Sequence, residues 1–346
     1  MNDLKSFFRS FPTGLWLLML IVFLAILGLP ALLIRPGLLD FTETGQIGDT
    51  IGGIMGPFIA IVAAFLTFFA FWAQFLANNE LINENRRNHF ENRFYKMLDI
   101  HLESVANLNT RFAEEKDKPV NSCFQSWCEE IMELFNTLCM EGDLGGFVDM
   151  IKEKYKGDPD LAEYVDFLTH IQESREEYEK VIFEITYSYF FSKDFSTLKY
   201  GDNKQTQNVI QFATTFSTYL SEEKILKLTG DAKNEILGRY FRHLFQIVRY
   251  VDEQPDSLYE EKDWKIGVLS ILRSQMSDYE QLLLYYNAQS SLGNAWDEKR
   301  YIEKYRLIKN IPFSDIFACA GLAPFVKYQE TIKAIEAKGE KFFERG

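Results

Sequence analysis

Two long stretches without a charged residue are the strongest constraint on what this chain can fold into. The first lies between Arg9 and Arg35, and its core, residues 14–34, reads GLWLLMLIVFLAILGLPALLI. At about 1.5 Å per helical residue this core would span roughly 30 Å, the hydrocarbon thickness of a bilayer. A signal peptide is the alternative, but its apolar region usually has about 7–15 residues before a small-residue cleavage site. Neither feature is present here, so the stretch predicts a transmembrane helix.

The second stretch lies between Asp49 and Glu80 and predicts another transmembrane helix over about residues 51–77. Together the two form a predicted hairpin, so residues 1–80 are an N-terminal tail and a membrane domain. Basic residues flank the hairpin on both outer sides: Lys5, Arg9, Arg86, Arg87, Arg93 and Lys96. The intervening loop has Arg35 as its one basic residue, against the acidic Asp40, Glu43 and Asp49. By the positive-inside rule, the chain is expected in a bacterial inner membrane with both termini cytoplasmic.

Small residues recur at every fourth position of the second stretch: Gly48, Gly52, Gly56, Ala60 and Ala64. On a helix they would form a helix-packing face that allows another helix to approach closely, as in a homo-oligomer. The alternative is that the glycines shape a loop entering the membrane, with Pro57 in the first helical turn. No ionisable side chain lies inside either stretch, which disfavours a dedicated transporter because proton relays and many ion pathways need one.

The remainder, residues 81–346, predicts an all-α cytosolic domain, so the fold class is mainly α with an N-terminal two-helix transmembrane hairpin. Five segments favour helix: Phe124–Met140, Asp160–Phe190, Glu222–Val251, Trp264–Ala288 and Trp296–Lys309. Residues 181–187 are aromatic and β-branched enough to allow a strand instead. Apolar positions in residues 90–112 step by threes and fours. They predict either a rod that carries a signal to the membrane or a helix packed on its own domain.

Segment 238–250 has an apolar helical face and a polar one formed by Arg239, Arg242, Gln246 and Arg249. The chain has a net charge of -13 and a pI near 5.0, which argues against a surface that coats nucleic acid. Three arginines on one face could still contact a partner or a phosphate, because guanidinium groups hold phosphate oxygens in paired hydrogen bonds. The alternative is that they pair with internal glutamates or are solvated.

Common catalytic signatures are absent from the sequence, including the phosphate loop, the nucleophile elbow and the dinucleotide-binding glycines. No two of the four histidines have the spacing for a shared metal, so no metal, cofactor or small-molecule substrate is expected. Arg239 and His243 are the candidate catalytic pair. Ribonucleases of the HEPN superfamily place four to six residues between an Arg and a His, whereas three intervene here. An atypical membrane-anchored ribonuclease is therefore the enzymatic alternative.

Several stretches together resemble the putative phage abortive infection protein family. They are Ile47-Gly-Asp-Thr-Ile-Gly-Gly53 with Pro57-Phe-Ile59, Phe94-Tyr-Lys-Met-Leu98, Tyr240-Phe-Arg-His-Leu-Phe-Gln-Ile247, Leu283-Leu-Tyr-Tyr-Asn287, and Ile302-Glu-Lys-Tyr305 with Lys309-Asn-Ile-Pro312. The resemblance implies antiviral defence by a toxic effector that stops growth of an infected cell. It also implies a retron partner, a reverse transcriptase with its small DNA–RNA product, that restrains the effector until phage interferes. A membrane-bound scaffold or sensor is the non-toxic alternative.

Overall fold

The computed structural model describes residues 47–116, 123–141, 143–156, 161–195, 197–222, 231–312 and 327–344, with four isolated positions before them. The chain divides into two compact units, residues 1–86 and 87–346. The isolated positions, Leu20, Ile21, Leu24 and Gly28, are helical and exposed. The rest of the predicted helix 14–34 lies outside the described residues, as does the loop that would complete the hairpin.

Helix α1 runs from Ile47 to Lys116, so it begins about one turn before the predicted range 51–77 and ends far beyond it. The predicted glycines all lie within it, and Pro57 is inside the helix rather than in its first turn. The alternative of a glycine-rich loop entering the membrane is therefore wrong. Proline inside a helix removes one backbone hydrogen bond and crowds the carbonyl four residues earlier, and here that earlier residue is Gly53.

The apolar part of α1 has the length and composition of a membrane-crossing helix. Within Met55–Arg111 the most apolar 18-residue window has a mean hydropathy of 2.1, and none of it is buried. It is the one such helix among the described residues. Large apolar side chains are exposed along it, including Phe65, Phe68, Phe71 and Phe75. Contiguous apolar exposure on this scale indicates a membrane or a protein partner.

Eleven further helices lie in the described part of residues 87–346. They are α2 (Cys123–Asn136), α3 (Leu144–Lys154), α4 (Ala162–Glu173), α5 (Arg175–Ser192), α6 (Asn203–Glu222), α7 (Asn234–Asp252), α8 (Trp264–Gln275), α9 (Asp278–Gln289), α10 (Asn294–Glu298), α11 (Tyr301–Tyr305) and α12 (Gln329–Glu336). A π-helical turn, Thr137–Glu141, extends α2. No strand occurs in these ranges, so the prediction of a mainly α fold is confirmed.

Helices α5 and α9 form the centre of this unit because they are buried on nearly all sides. Every residue from Leu282 to Ala288 in α9 is buried, as is most of α5. A helix enclosed all round lacks the polar stripe of a surface helix. The strand alternative for residues 181–187 is wrong for this reason, since those apolar residues lie on several faces of one buried helix. Helix α2 packs against both α5 and α9.

Two predicted helices are each divided by a serine that caps the helix after it. Ser174 ends the first half of the predicted segment 160–190, and its hydroxyl accepts a hydrogen bond from the backbone N–H of Glu177. Ser277 divides the predicted segment 264–288 in the same way and forms a capping box with Glu280. A serine hydroxyl satisfies a backbone donor at a helix start, so it favours a new helix over continuation of the old one. Helices α3, α6 and α12 were not among the predicted segments.

Within residues 87–111, the buried side chains of α1 are Phe90, Phe94, Leu98, His101 and Asn109, each no more than 5% exposed. Phe90 contacts aromatic rings from two other segments, with ring centroids 5.6 Å from Tyr250 and 5.3 Å from Trp264. Of the two interpretations of residues 90–112, a helix packed on its own domain is therefore confirmed. Its packing is local to residues 87–346.

Replacing Phe94, which is 2% exposed, tests this packing. We expect Phe94→Ala to lower the free energy of unfolding of the domain by about 3–5 kcal/mol, because it removes a buried ring and leaves a cavity. Ile100→Ala on the same helix is the matched control, since Ile100 is 48% exposed and should lose far less. The measurement is denaturant unfolding of the full chain in detergent, followed by near-ultraviolet circular dichroism. Equal losses for both variants would contradict the packing.

Candidate functional site

Helix α7 separates an apolar face from a basic one. Its buried residues are Leu237, Tyr240, Phe241, Leu244, Ile247, Val248 and Val251. The four predicted contact residues, Arg239, Arg242, Gln246 and Arg249, are all exposed. Residues three and four apart are neighbours on a helix surface. The structure thus brings Arg239, Arg242, Gln246 and Arg249 together as one surface, called the arginine face below.

The apolar face of α7 lies antiparallel along α1. Near its start, the ring of Tyr240 lies 5.2 Å from the ring of His101. Near its end, Tyr250 stacks on Phe90 at 5.6 Å, and the guanidinium of Arg93 lies 4.9 Å from the centroid of the Tyr250 ring. Later residues of α7 therefore meet earlier residues of α1. The arginine face therefore lies on the side of α7 opposite the apolar face that packs on α1.

The arginines differ in how they are paired. Arg249 Nε lies 2.6 Å from a carboxylate oxygen of Glu253, one turn later, and this pairing raises the pKa of Arg249. The alternative predicted from the sequence, that these arginines pair with glutamates of the same chain, is therefore confirmed for Arg249. Among the described residues no carboxylate lies within 4.0 Å of the guanidinium of Arg239 or Arg242. Those two side chains are the part of the face that a partner anion could reach.

His243, the candidate catalytic histidine, makes a structural contact. Its Nε2 lies 3.0 Å from the backbone oxygen of Met97 on α1, and a carbonyl can only accept, so Nε2 carries the hydrogen and donates it. The side chain is half-buried, while Arg239 on the same helix is exposed. His243 thus joins α7 to α1 through this hydrogen bond. The geometry provides no observation that favours a ribonuclease site.

His101 stacks on His243, with ring centroids 6.1 Å apart and planes 19° from parallel. Burial, together with a smaller contribution from the neighbouring His243, lowers the pKa of His101 to about 4. His101 is therefore neutral at pH 7. Its Nε2 is buried without a hydrogen-bond partner among the described residues, which is why the charged form is so costly.

Two buried carboxyl groups were not predicted as functional residues. Glu280 accepts hydrogen bonds from the hydroxyl of Tyr240 and the backbone N–H of Ser277, so it ties α9 to α7. Its Ser-x-x-Glu capping pattern was readable in the sequence. Glu184 on α5 accepts from the backbone N–H of Ser291, and burial raises its pKa to about 7. No local sequence pattern marks Glu184, because its partner is distant in the chain.

The predicted helix-packing face, Gly48, Gly52, Gly56, Ala60 and Ala64, is called the small-residue stripe below, and all five residues lie on α1. Gly52, Gly56, Ala60 and Ala64 are exposed, and a Cβ added at Gly52 or Gly56 would meet no described atom within 4 Å. Each step of four residues turns about 40° past a full helical turn, so the stripe slants around the helix. A slanted stripe suits a right-handed helix crossing of the GxxxG type. Its role in helix packing remains a prediction.

No group of three His, Cys, Asp or Glu side chains within the described ranges is placed to hold a metal ion.

Comparison with families of known proteins bears on residues 232–316, which include α7 through α11. Residues 232–316 match the family model of the putative phage abortive infection protein. The match confirms the resemblance expected from the sequence and supports a role in phage defence. It covers about a quarter of the chain and includes the arginine face. The resembling stretches at residues 47–59 and 94–98 lie outside it.

Comparison with curated proteins gave no match. Comparison with solved structures gave no match either.

His101 should make the domain less stable in acid. Its folded pKa is below its unfolded value of about 6.5, so its contribution is present above that pH and is lost as the pH falls toward 4. A shift of this size corresponds to roughly 3 kcal/mol. We expect His101→Gln to flatten the decline in unfolding free energy between neutral pH and pH 4.5. The exposed His89→Gln on the same helix is the control, and identical profiles for wild type and His101→Gln would contradict the assignment.

Proposed function

We propose that this protein is a phage-defence effector that stops the growth of infected cells by disrupting the inner membrane. In this proposal two helices, about residues 14–34 and 51–77, cross the membrane with both termini in the cytoplasm. The domain that follows detects a partner, and hairpins from several copies then assemble through the small-residue stripe. The family match supports the defence role, and the apolar stretch of α1 supports the site of action.

The observation that carries the proposal is the contrast between the two parts of α1. From Phe58 to Leu76 most of its large apolar side chains are exposed, with Phe71 at 72%, whereas Phe90 and Phe94 are buried against other helices. Burying exposed apolar area releases roughly 25 cal/mol per Å². A bilayer provides that burial for a long uncharged helix, because all its backbone hydrogen bonds are satisfied internally.

The packing of α7 on α1 supports a route from the partner to the membrane helix. A partner that binds Arg239 and Arg242 contacts α7, and α7 contacts α1 through His243 and Tyr250. A ligand shifts a conformational equilibrium only by its differential affinity for the two states. A partner that prefers one arrangement of α7 would therefore bias α1. The resemblance suggests a reverse transcriptase with its small DNA–RNA product, whose phosphates would suit these guanidinium groups.

Membrane potential tests the proposed action directly. We expect the released full chain to depolarise cells within the period of growth arrest, and Gly52→Leu or Gly56→Leu to abolish depolarisation at unchanged protein levels. The added side chains meet open space in one chain, so they should block close helix approach without unfolding the helix. The measurement is a voltage-sensitive dye in cells producing each variant.

Gly53→Leu is the matched control, because Gly53 is also exposed with no described atom near its Cβ but lies off the stripe. It should still depolarise cells. If both stripe variants kill as fast as wild type, assembly through this face is excluded. Growth arrest with the potential intact would indicate the alternative of a membrane-anchored ribonuclease, and the absence of both effects would indicate a scaffold or sensor.

Charge reversal tests whether the arginine face contacts a restraining partner. In the native genetic context, we expect Arg239→Glu combined with Arg242→Glu to release the effector, so viable counts fall at least about tenfold without phage. Arg239→Lys with Arg242→Lys is the control, because it keeps the charge and should restrain the effector more nearly as wild type does. Double-glutamate cells that stay viable and still respond to phage would show that the face is not the contact.

A further inference from the structure

An aromatic groove of about 460 Å³ lies within residues 87–346, away from the arginine face. Helix α1 forms one wall with Phe90, Phe94 and Tyr95, and the other is formed by Tyr259, Trp264 and the first turns of α8. Phe90, Phe94 and Trp264 are buried at the base of these walls and are called the floor below, whereas Tyr95 is 49% exposed. The volume is in the range of ligand sites, roughly 300–1,000 Å³. The groove is thus large enough for two or three side chains.

The charges around this groove are mostly negative. Four carboxylates line it, from Glu91, Glu261, Asp263 and Glu340, against two cations, Lys262 and Arg306. Arg306 forms an ion pair with Glu340, and the two charges cancel each other. The hydroxyl of Tyr259 donates a hydrogen bond to a carboxylate oxygen of Glu91, with 2.6 Å between the two oxygens. An excess of carboxylates therefore remains at the opening of an apolar groove.

Glu261 and Asp263 are the carboxylates best placed for an incoming cation. Both are exposed, and within the described ranges neither has a basic group within 4.0 Å. Asp263 precedes α8 but makes no side-chain capping bond to it. Its carboxylate is therefore not used to satisfy the helix start, which is the ordinary role of an aspartate at this position.

The rings around the groove already attract cations from this chain. The guanidinium of Arg87 lies 5.4 Å from the ring centroid of Tyr259, and its Nε donates to the backbone oxygen of Leu258. The ammonium of Lys265 lies 5.8 Å from the ring of Trp264. Arginine stacks on aromatic faces and also forms paired hydrogen bonds with carboxylates. An arginine beside an apolar side chain would match both the rings and the charges.

We propose that this groove binds an arginine-containing segment of a partner protein, in which a basic and an apolar side chain alternate. The guanidinium would pair with Glu261 and Asp263, and the apolar side chain would cover Tyr95 and the floor. The wall opposite α1, formed by Tyr259, Trp264 and the first turns of α8, lies within residues 232–316, the part that matches the defence family. The proposed surface is distinct in sign and place from the arginine face, and it does not depend on disruption of the membrane.

The test is binding of a labelled peptide of alternating arginine and phenylalanine to the full chain in detergent, followed by fluorescence anisotropy. We expect saturable binding that weakens with salt, and none by the matched peptide of alternating glutamate and phenylalanine. Glu261→Lys with Asp263→Lys should weaken binding at least about tenfold. Both residues are exposed, so these changes should leave the fold intact, which near-ultraviolet circular dichroism checks.

Asp149→Lys with Glu153→Lys is the control pair, because it makes the same change in charge at exposed positions of α3 outside the groove. It should bind the arginine peptide as wild type does. Equal weakening by both pairs would reduce the effect to net charge and overturn the site. Absence of saturable binding, or competition by free arginine amide at the peptide's own concentration, would overturn the proposal of a protein segment. Each outcome is independent of whether the chain depolarises cells.

Discussion

The antiparallel packing of α7 on α1 is the contact on which the arrangement of both candidate surfaces depends. Stacked rings fix one end of α7, and a hydrogen bond from His243 to the backbone of α1 fixes the middle. Because these contacts define which side of α7 is buried, they also define which side presents Arg239 and Arg242. Rotating α7 would expose aromatic surface and leave the half-buried Nε2–H of His243 without its acceptor, and both changes are costly.

The centre of the domain is specified by a few polar contacts among many apolar ones. Asn287 on α9 donates to the hydroxyl of Tyr187 on α5, and Glu280 accepts from Tyr240 on α7. Apolar packing alone is non-directional, whereas a buried polar group left without its partner costs about 1–3 kcal/mol. These pairs therefore favour one register of α5, α7 and α9 over others that would bury similar area.

The two candidate surfaces have opposite charge in an acidic protein. The arginine face is a local concentration of positive charge on the back of α7, and the groove beside α1 has an excess of carboxylates over an aromatic floor. Both are carried by elements that contact the same segment of α1, residues 90–101.

The sequence by itself determined the features that depend on local pattern. A long uncharged stretch, the 3.6-residue period of α7 and the absence of alternating strands are readable without a structure, and they predicted the apolar helix, both faces of α7 and the mainly α class. The arginine face was named residue by residue for the same reason. Helix α6 was missed although Val209, Phe212, Ala213 and Phe216 have helical spacing, because its many threonines have low helix propensity.

Tertiary structure alone decided which side chains are used by the fold and which are left for a partner. Met97 and His243 are 146 positions apart, so no local pattern could show that this histidine joins two helices. The same holds for Glu184 with Ser291 and for a groove whose walls come from residues 90–95 and 259–271. Burial and charge pairing arise between segments that are distant in the chain. The hydrophobic period of one segment shows which of its faces is buried, but it does not show which other segments contact that face.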